Sequence, residues 1–193
     1  MKLILASTSK LKSEIMDKVY MKHDMCESSF EEHSVKSTDV YEYVKEVSLG
    51  KAKSIVDKVS EGIILGIDTV CFIDGKIVEK PKTLEEAKNN LAASSNKTTS
   101  VVTGVTLINK YNGETVNTYQ ETKITFNKID DEDIEYYIQN EKDVMYVSGF
   151  IFEGVASNFL NSIEGSYYNI LGVPVEKIYE ILLSWGIHLK DLE

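Results

Sequence analysis

The sequence predicts an α/β fold built on a mixed β-sheet, and three observations carry the prediction. Short apolar runs at Lys2–Ala6 and Ile63–Ile67 read as buried strands. Two longer segments, Val101–Asn109 and Thr115–Phe126, alternate in character and meet at Asn112-Gly113, so they read as an antiparallel ribbon. Segments with helical spacing fall between the strands along the whole chain, with no repeat, linker or low-complexity tract among them.

The elements follow in order. Ser9 is placed to cap a helix over Lys10–Lys22, with Leu11, Ile15, Met16 and Val19 at helical spacing. Met25–Phe30 reads as a short strand. Thr38 or Asp39 caps a second helix running to Val59, with Val40, Tyr43, Val44, Val47 and Ala52 on one face. Gly62 opens the Ile63–Ile67 strand, which is expected to end at Asp68. A hairpin follows, Val70–Ile73 and Lys76–Val78 around Asp74-Gly75. After Lys80-Pro81 a third helix begins at Thr83, with Glu86 in capping-box spacing. Beyond the ribbon, Asp130–Asn140 reads as a helix, Val147–Gly154 as irregular, Ile163–Leu171 as holding a strand, and Pro174–Trp185 as a last helix with Pro174 near its first turn.

Composition narrows the function. The chain has 193 residues, 42% hydrophobic and 27% charged, the mix of an ordinary globular protein. Its formal net charge of -10 argues against a nucleic-acid or anionic-membrane partner, since phosphate backbones require a basic footprint. A few focused lysines can still hold one small anion in an acidic protein. The apolar start is too short for a signal peptide and no run reaches the ~20 apolar residues that span a bilayer, so a cytoplasmic location is expected. Cys26 and Cys71 are expected to be free thiols, and His23, His33 and His188 show no metal-ligand spacing.

Three segments can carry chemistry. A strand leading through Ser7-Thr8-Ser9 into a helix offers hydroxyls and backbone N–H groups to an anion, or merely caps the helix. Asp68, after a buried strand, can ligate a hard cation or take a proton from water; it can also be a turn aspartate. Lys80 precedes a proline that stiffens the backbone carrying it. Glycines recur through Ser148–Gly154 and Ile163–Pro174, as in loops that close around a ligand or in simple turns.

Taken together, LILASTS, GIDTVCFIDGKIVEKP, VVTGVTLI and the GFIFEG…IEGSYYNILGVP tail resemble the successive motifs of the Maf family, the septum-formation inhibitor-like proteins. The resemblance spans almost all of the chain and implies one domain over residues 1–193. The fold it implies is an elongated mixed sheet flanked by helices, with two lobes and a deep cleft. The implied activity is a nucleoside triphosphate pyrophosphatase, giving the monophosphate and pyrophosphate with Mg²⁺ or Mn²⁺, often as a homodimer. Position by position, Asp68 matches the general base, and Ser7, Lys51 and Lys80 match phosphate-binding residues. Lys12 stands where the family has an arginine. Glu32 fits the acidic position near the metal together with Asp68, and Glu31 takes that place if the alignment slips.

Three positions tied to base choice are mixed. Leu11 replaces an arginine of the dTTP- and UTP-directed subgroup. Glu153 is the residue of the 7-methyl-GTP-directed subgroup, whereas Thr69 matches the pyrimidine subgroup. Pyrimidine triphosphates are the nominal substrates and 7-methyl-GTP or another modified purine the rival. A nucleotide-binding regulator of septum formation with little turnover is the rival from another class; Asp68, Lys51 and Lys80 argue against it.

Overall fold

The computed structural model describes residues 1–193. Its strands are β1 (Leu3–Leu5), β2 (Asp24–Met25), β3 (Ile63–Ile73), β4 (Lys76–Val78), β5 (Thr98–Asn109), β6 (Thr115–Phe126) and β7 (Leu160–Glu164). Its helices are α1 (Lys10–Lys18), α2 (Val40–Lys53), α3 (Leu84–Ser94), α4 (Asp131–Asn140), α5 (Tyr167–Ile170) and α6 (Val175–Ser184). The strands form one open mixed sheet in the order β2-β1-β3-β5-β6-β7, with β4 also paired to β3. β1 runs parallel to β2 and to β3, with Leu5 opposite Leu65. β4 pairs antiparallel with β3, and β7 with β6. Against β5, Thr69 meets Thr103 and Gly62 accepts from the Lys110 N–H, so the residue numbers run in opposite directions.

The chain divides into two compact units. The first holds Met1–Thr69, Val102–Gln120 and Tyr167–Glu193; the second holds Val70–Val101 and Glu121–Ser166. In the first, side chains alternate across the sheet. Leu3, Leu5, Leu65 and Ile67 bury one face against Ile15 and Met16 of α1 and Ile178 and Leu182 of α6. Ile4 and Ile64 bury the other face with Ala52 of α2 and Ile55. In the second unit α3 packs against α4, and Phe150 sets its ring edge-on to Phe126, with centroids 4.7 Å apart.

The caps explain where helices start. The Ser9 side chain accepts from the Lys12 N–H, and Asp39 rather than Thr38 accepts from the Tyr41 and Glu42 N–H groups. The Thr83 hydroxyl accepts from the Glu86 N–H, but the Glu86 carboxylate returns to the Lys82 N–H rather than to Thr83. Asp74 and Gly75 both take positive φ, the twist a two-residue hairpin needs.

Several boundaries differ from expectation. α1 stops at Lys18 instead of Lys22, because Tyr20 turns left-handed at φ 56°. The Met21 N–H then reaches back to Met16 O and the Tyr20 N–H to Asp17 O, a helix stop in which glycine is usual. β2 lies at Asp24–Met25 rather than over Met25–Phe30. α2 ends at Lys53, six residues short of Val59. There the Ser54 hydroxyl bonds Lys51 O, and the Ile55 N–H turns to Ala52 O. The strand at Leu160–Glu164 starts three residues before the expected segment and overlaps only its first two residues, and Tyr167–Ile170 is a helical turn. β7 is largely exposed, so no apolar pattern marks it. The most consequential difference is at β3: it is one strand through Ile73, and Asp68 sits in its middle, not after its end.

Candidate active site

The site begins with missing side chains. Gly66 and Asp68 share the face of β3 that looks at α2, because residues two apart in a strand point the same way. A Cβ on Gly66 would collide with Ser48 O and press on Ala52, both in α2. One on Gly104 of β5 would collide with the Val44 carbonyl of the same helix. Two bare positions therefore let the α2 backbone lie directly on the sheet. The buried Ser48 hydroxyl completes the seat by meeting the Thr106 hydroxyl at 2.9 Å, and the Asn117 amide donates to that same Thr106 oxygen and to Lys45 O.

That close approach delivers Lys51. Its ammonium lies 2.7 Å from Asp68 Oδ1 and 2.7 Å from Glu32 Oε1. Lys51 is flanked by Gly50 and Ala52, and each small neighbour has a task. Ala52 fits under Gly66, while a Cβ on Gly50 would run into the Phe30 ring. Phe30 thus seats the segment that carries the short turn Glu32–Ser34, and with it the second carboxylate. Of the two acidic candidates, the chain brings Glu32 to Lys51, whereas Glu31 precedes the turn.

Burial sets the electrostatics. The Asp68 and Lys51 side chains are 9% and 13% exposed, and Glu32 is 48% exposed. Burial disfavours the Lys51 ammonium, but Asp68 and then Glu32 outweigh it and hold Lys51 above the usual lysine range. Removing one partner from such a pair leaves a buried charge unmatched, a loss of about 3–5 kcal/mol where burial is complete.

The opposite face of β3 carries a second group. β1 ends at Leu5, opposite Leu65, so the Ile67 carbonyl has no β1 partner; the Lys12 ammonium donates to it at 3.2 Å. Thr69, next on this face, places its hydroxyl 3.0 Å from Thr103 Oγ1 and donates to Gly172 O at 3.3 Å. Gly172 has φ 89° and faces the Thr69 hydroxyl and the Lys12 side chain. At the end of β1 the Ser7 hydroxyl accepts from the Ser9 N–H at 3.1 Å, so the serines do shape the strand-to-helix turn. Leu11 is half exposed on α1. Asp68 is therefore a mid-strand residue three positions past the end of β1, and the strand-end argument for ligands applies to β1 rather than to β3.

The second unit holds the remaining expected residues. Lys80 is exposed while Pro81 beside it is buried, so the proline anchors the backbone that presents the lysine. Glu153 is also exposed, on a loop pinned from α4. The Tyr137 hydroxyl accepts from the Ile151 N–H at 2.9 Å, and Glu141 Oε1 accepts from the Val155 N–H at 2.5 Å. The apolar setting pushes the Tyr137 phenol up to about 12.

No group of three or more His, Cys, Asp or Glu gathers in the chain. His23 is a packing residue, its ring bonded to the Ser13 hydroxyl and Met21 O. Glu32 and Asp68 nevertheless suit a small hard cation. Both are oxygen donors within 2.7 Å of one common point, and Mg²⁺ characteristically takes one or two carboxylates with substrate phosphates and water. Phe30, Gly66, Gly104 and Ala52 build this site, yet sequence reasoning gave none of them a role in it. The signal for Ala52 and Gly66 was only smallness beside Lys51 and Asp68; Phe30 and Gly104 carried none.

The Maf-like protein family matches residues 2–185. A dTTP/UTP pyrophosphatase of Clostridium perfringens is 34% identical over 189 residues, covering 97% of this chain and 98% of its own. One from Methanococcoides burtonii is 32% identical over 191 residues, covering 98% of each. Among solved structures the Staphylococcus aureus Ham1 protein is a distant likeness, 14% identical with a TM-score of 0.45 over 65% of this chain and 72% of its own. No helix is long and apolar enough to cross a membrane. With the family matched from the first strand through the last helix, the chain belongs to the Maf family.

Proposed function

We propose that this protein hydrolyses dTTP and UTP to the monophosphate and pyrophosphate, in the cytosol. One observation supports the chemistry above all others: a largely buried carboxylate, Asp68, is held by a lysine whose own position is fixed by the backbone fit of α2 on β3. The full-length relatives named dTTP/UTP pyrophosphatases support the substrate class.

In this reading Asp68 accepts a proton from the attacking water as its oxygen meets the α-phosphorus in line, and the pyrophosphate leaves on the far side. Lys51 and Lys12 offset charge that builds on the phosphate oxygens, and Lys80 joins them by its match to the family's second phosphate-binding lysine. The Ser7 hydroxyl, at the turn into α1, donates to a phosphate. Glu32 and Asp68 would hold Mg²⁺ or Mn²⁺, whose bound charge polarises the phosphates. Thr69 and Glu153 read the base, and Leu11 adds apolar surface beside it.

Glu153 favours a second reading, 7-methyl-GTP or another modified purine, because a carboxylate accepts from adjacent guanine donors. Pyrophosphate release from UTP, dTTP, GTP and 7-methyl-GTP, with Mg²⁺, Mn²⁺ or EDTA, decides among these. Turnover of UTP and dTTP that vanishes in EDTA is expected. No release from either pyrimidine nucleotide would overturn the proposal, and turnover in excess chelator would remove the metal from it.

A further inference from the structure

The two carboxylates assigned to a cation already have one. Asp68 Oδ1 and Glu32 Oε1 each lie 2.7 Å from the same nitrogen, Lys51 Nζ. The arrangement is built in, not a passing surface contact. Lys51 is nearly buried, Gly50 admits the Phe30 ring on one side of it, and Ala52 lies against the bare Gly66 on the other. One ammonium thus stands at the point where a small hard cation sharing the same two oxygens would be placed. A lysine so committed keeps one N–H donor but has its charge already matched, so it offers little to a phosphate until a carboxylate lets go. Its stem is flexible and its head is a point charge, so it can exchange one anion for another without the helix moving.

We propose that Lys51 is a resident counter-ion of the Glu32–Asp68 pair, competing with the divalent cation in the nucleotide-free protein and transferring to the triphosphate when the cation takes the carboxylates. Metal and nucleotide then bind cooperatively. The exchange also keeps a buried carboxylate from standing unmatched between turnovers. This inference rests on the metal assignment made above, and its test needs no nucleotide and no turnover.

The test is Mn²⁺ binding to the full chain without nucleotide, read from the electron paramagnetic resonance signal of free Mn²⁺. Wild type should bind weakly, and Lys51→Met should bind at least tenfold more tightly. Adding Glu32→Gln to that variant should cancel the gain. Equal or weaker binding by Lys51→Met overturns the proposal, and so does a gain that survives Glu32→Gln. If Lys51→Met is unfolded in chelator, the same titration is followed by circular dichroism. Refolding by Mn²⁺ then supports the exchange, and failure of Mn²⁺ to refold the chain overturns it. Failure of UTP turnover in the wild type would remove the proposed substrate while leaving this titration unchanged.

Discussion

Two glycine-containing regions of this protein are fitted by different means. At Gly66 the space is filled by backbone and a methyl group of α2, and nothing there can swing away. At Gly154 the space is filled by the Glu141 carboxylate, the far end of a flexible side chain that also accepts from the Val155 N–H. The first region holds Asp68 and Lys51; the second carries Glu153. The contrast teaches that the charge relations around Asp68 are set rigidly by main-chain packing. The loop around Glu153 is tied by side chains that can adjust. Under the proposed function the proton acceptor Asp68 lies in the first kind of region, and Glu153, one candidate for base choice, in the second.

The sharpest break of that comparison is Asp68→Asn. It keeps the shape of the side chain and removes the proton acceptor, so UTP turnover should fall by ~10²–10⁴-fold while far-UV circular dichroism is retained. Near wild-type turnover in a purified Asn variant would take the base away from Asp68.

Next comes a paired substitution. Gly66→Ala drives a Cβ into Ser48 O and against Ala52, and should cost about 3 kcal/mol in urea unfolding, because overpacking against backbone has no easy relief. Gly154→Ala meets the movable Glu141 carboxylate first and should cost about 1 kcal/mol or less. Equal losses at the two positions would erase the distinction between the rigid region and the adjustable one.

Much of the fold was legible before the structure, and the misses share a cause. Apolar runs and cap residues marked β1, β3, α2 and α3 because burial and capping leave a residue pattern. β7 left none, being exposed, and beyond the end of α1 a left-handed Tyr20 stands in place of the glycine that signals a helix stop. Asp68 read as a strand end because a charged residue normally is one; a buried carboxylate continues a strand only when a partner such as Lys51 reaches it from elsewhere. That the chain joins Lys51, Glu32 and Asp68 was legible only as a family resemblance. The reason, small residues letting α2 touch the sheet, depends on pairs far apart in sequence.

Lys80 tests the second unit from the side of charge. It is exposed beside a buried proline, so Lys80→Ala should change stability by no more than about 0.5 kcal/mol. UTP turnover should nonetheless fall by about 10²-fold if the ammonium meets the phosphates in the transition state. Unchanged kcat and KM would make Lys80 a solvated surface charge, as most lysines are.

The smallest effect expected is on base choice. An ionised Glu153 offers only acceptors, whereas a glutamine offers an acceptor and a donor. Uracil and thymine present an N3–H between two carbonyls, so a carboxylate matches the N–H but sets its own charge near a carbonyl oxygen. Guanine presents adjacent N–H donors that one carboxylate can take together. Glu153→Gln should therefore raise kcat/KM for UTP and dTTP relative to GTP-type substrates by about tenfold, the worth of about one hydrogen-bonding match. The Tyr137 and Glu141 contacts to Ile151 and Val155 should persist, since neither uses the Glu153 side chain. Glu141→Gln supplies the control. It leaves the Glu153 carboxylate in place and weakens only the tie to the Val155 N–H, so it should alter KM for all nucleotides together without changing their ratio. A ratio unchanged by Glu153→Gln would mean that the carboxylate does not read the base. A ratio shifted equally by Glu141→Gln would mean that the loop's position, not the Glu153 side chain, sets the preference.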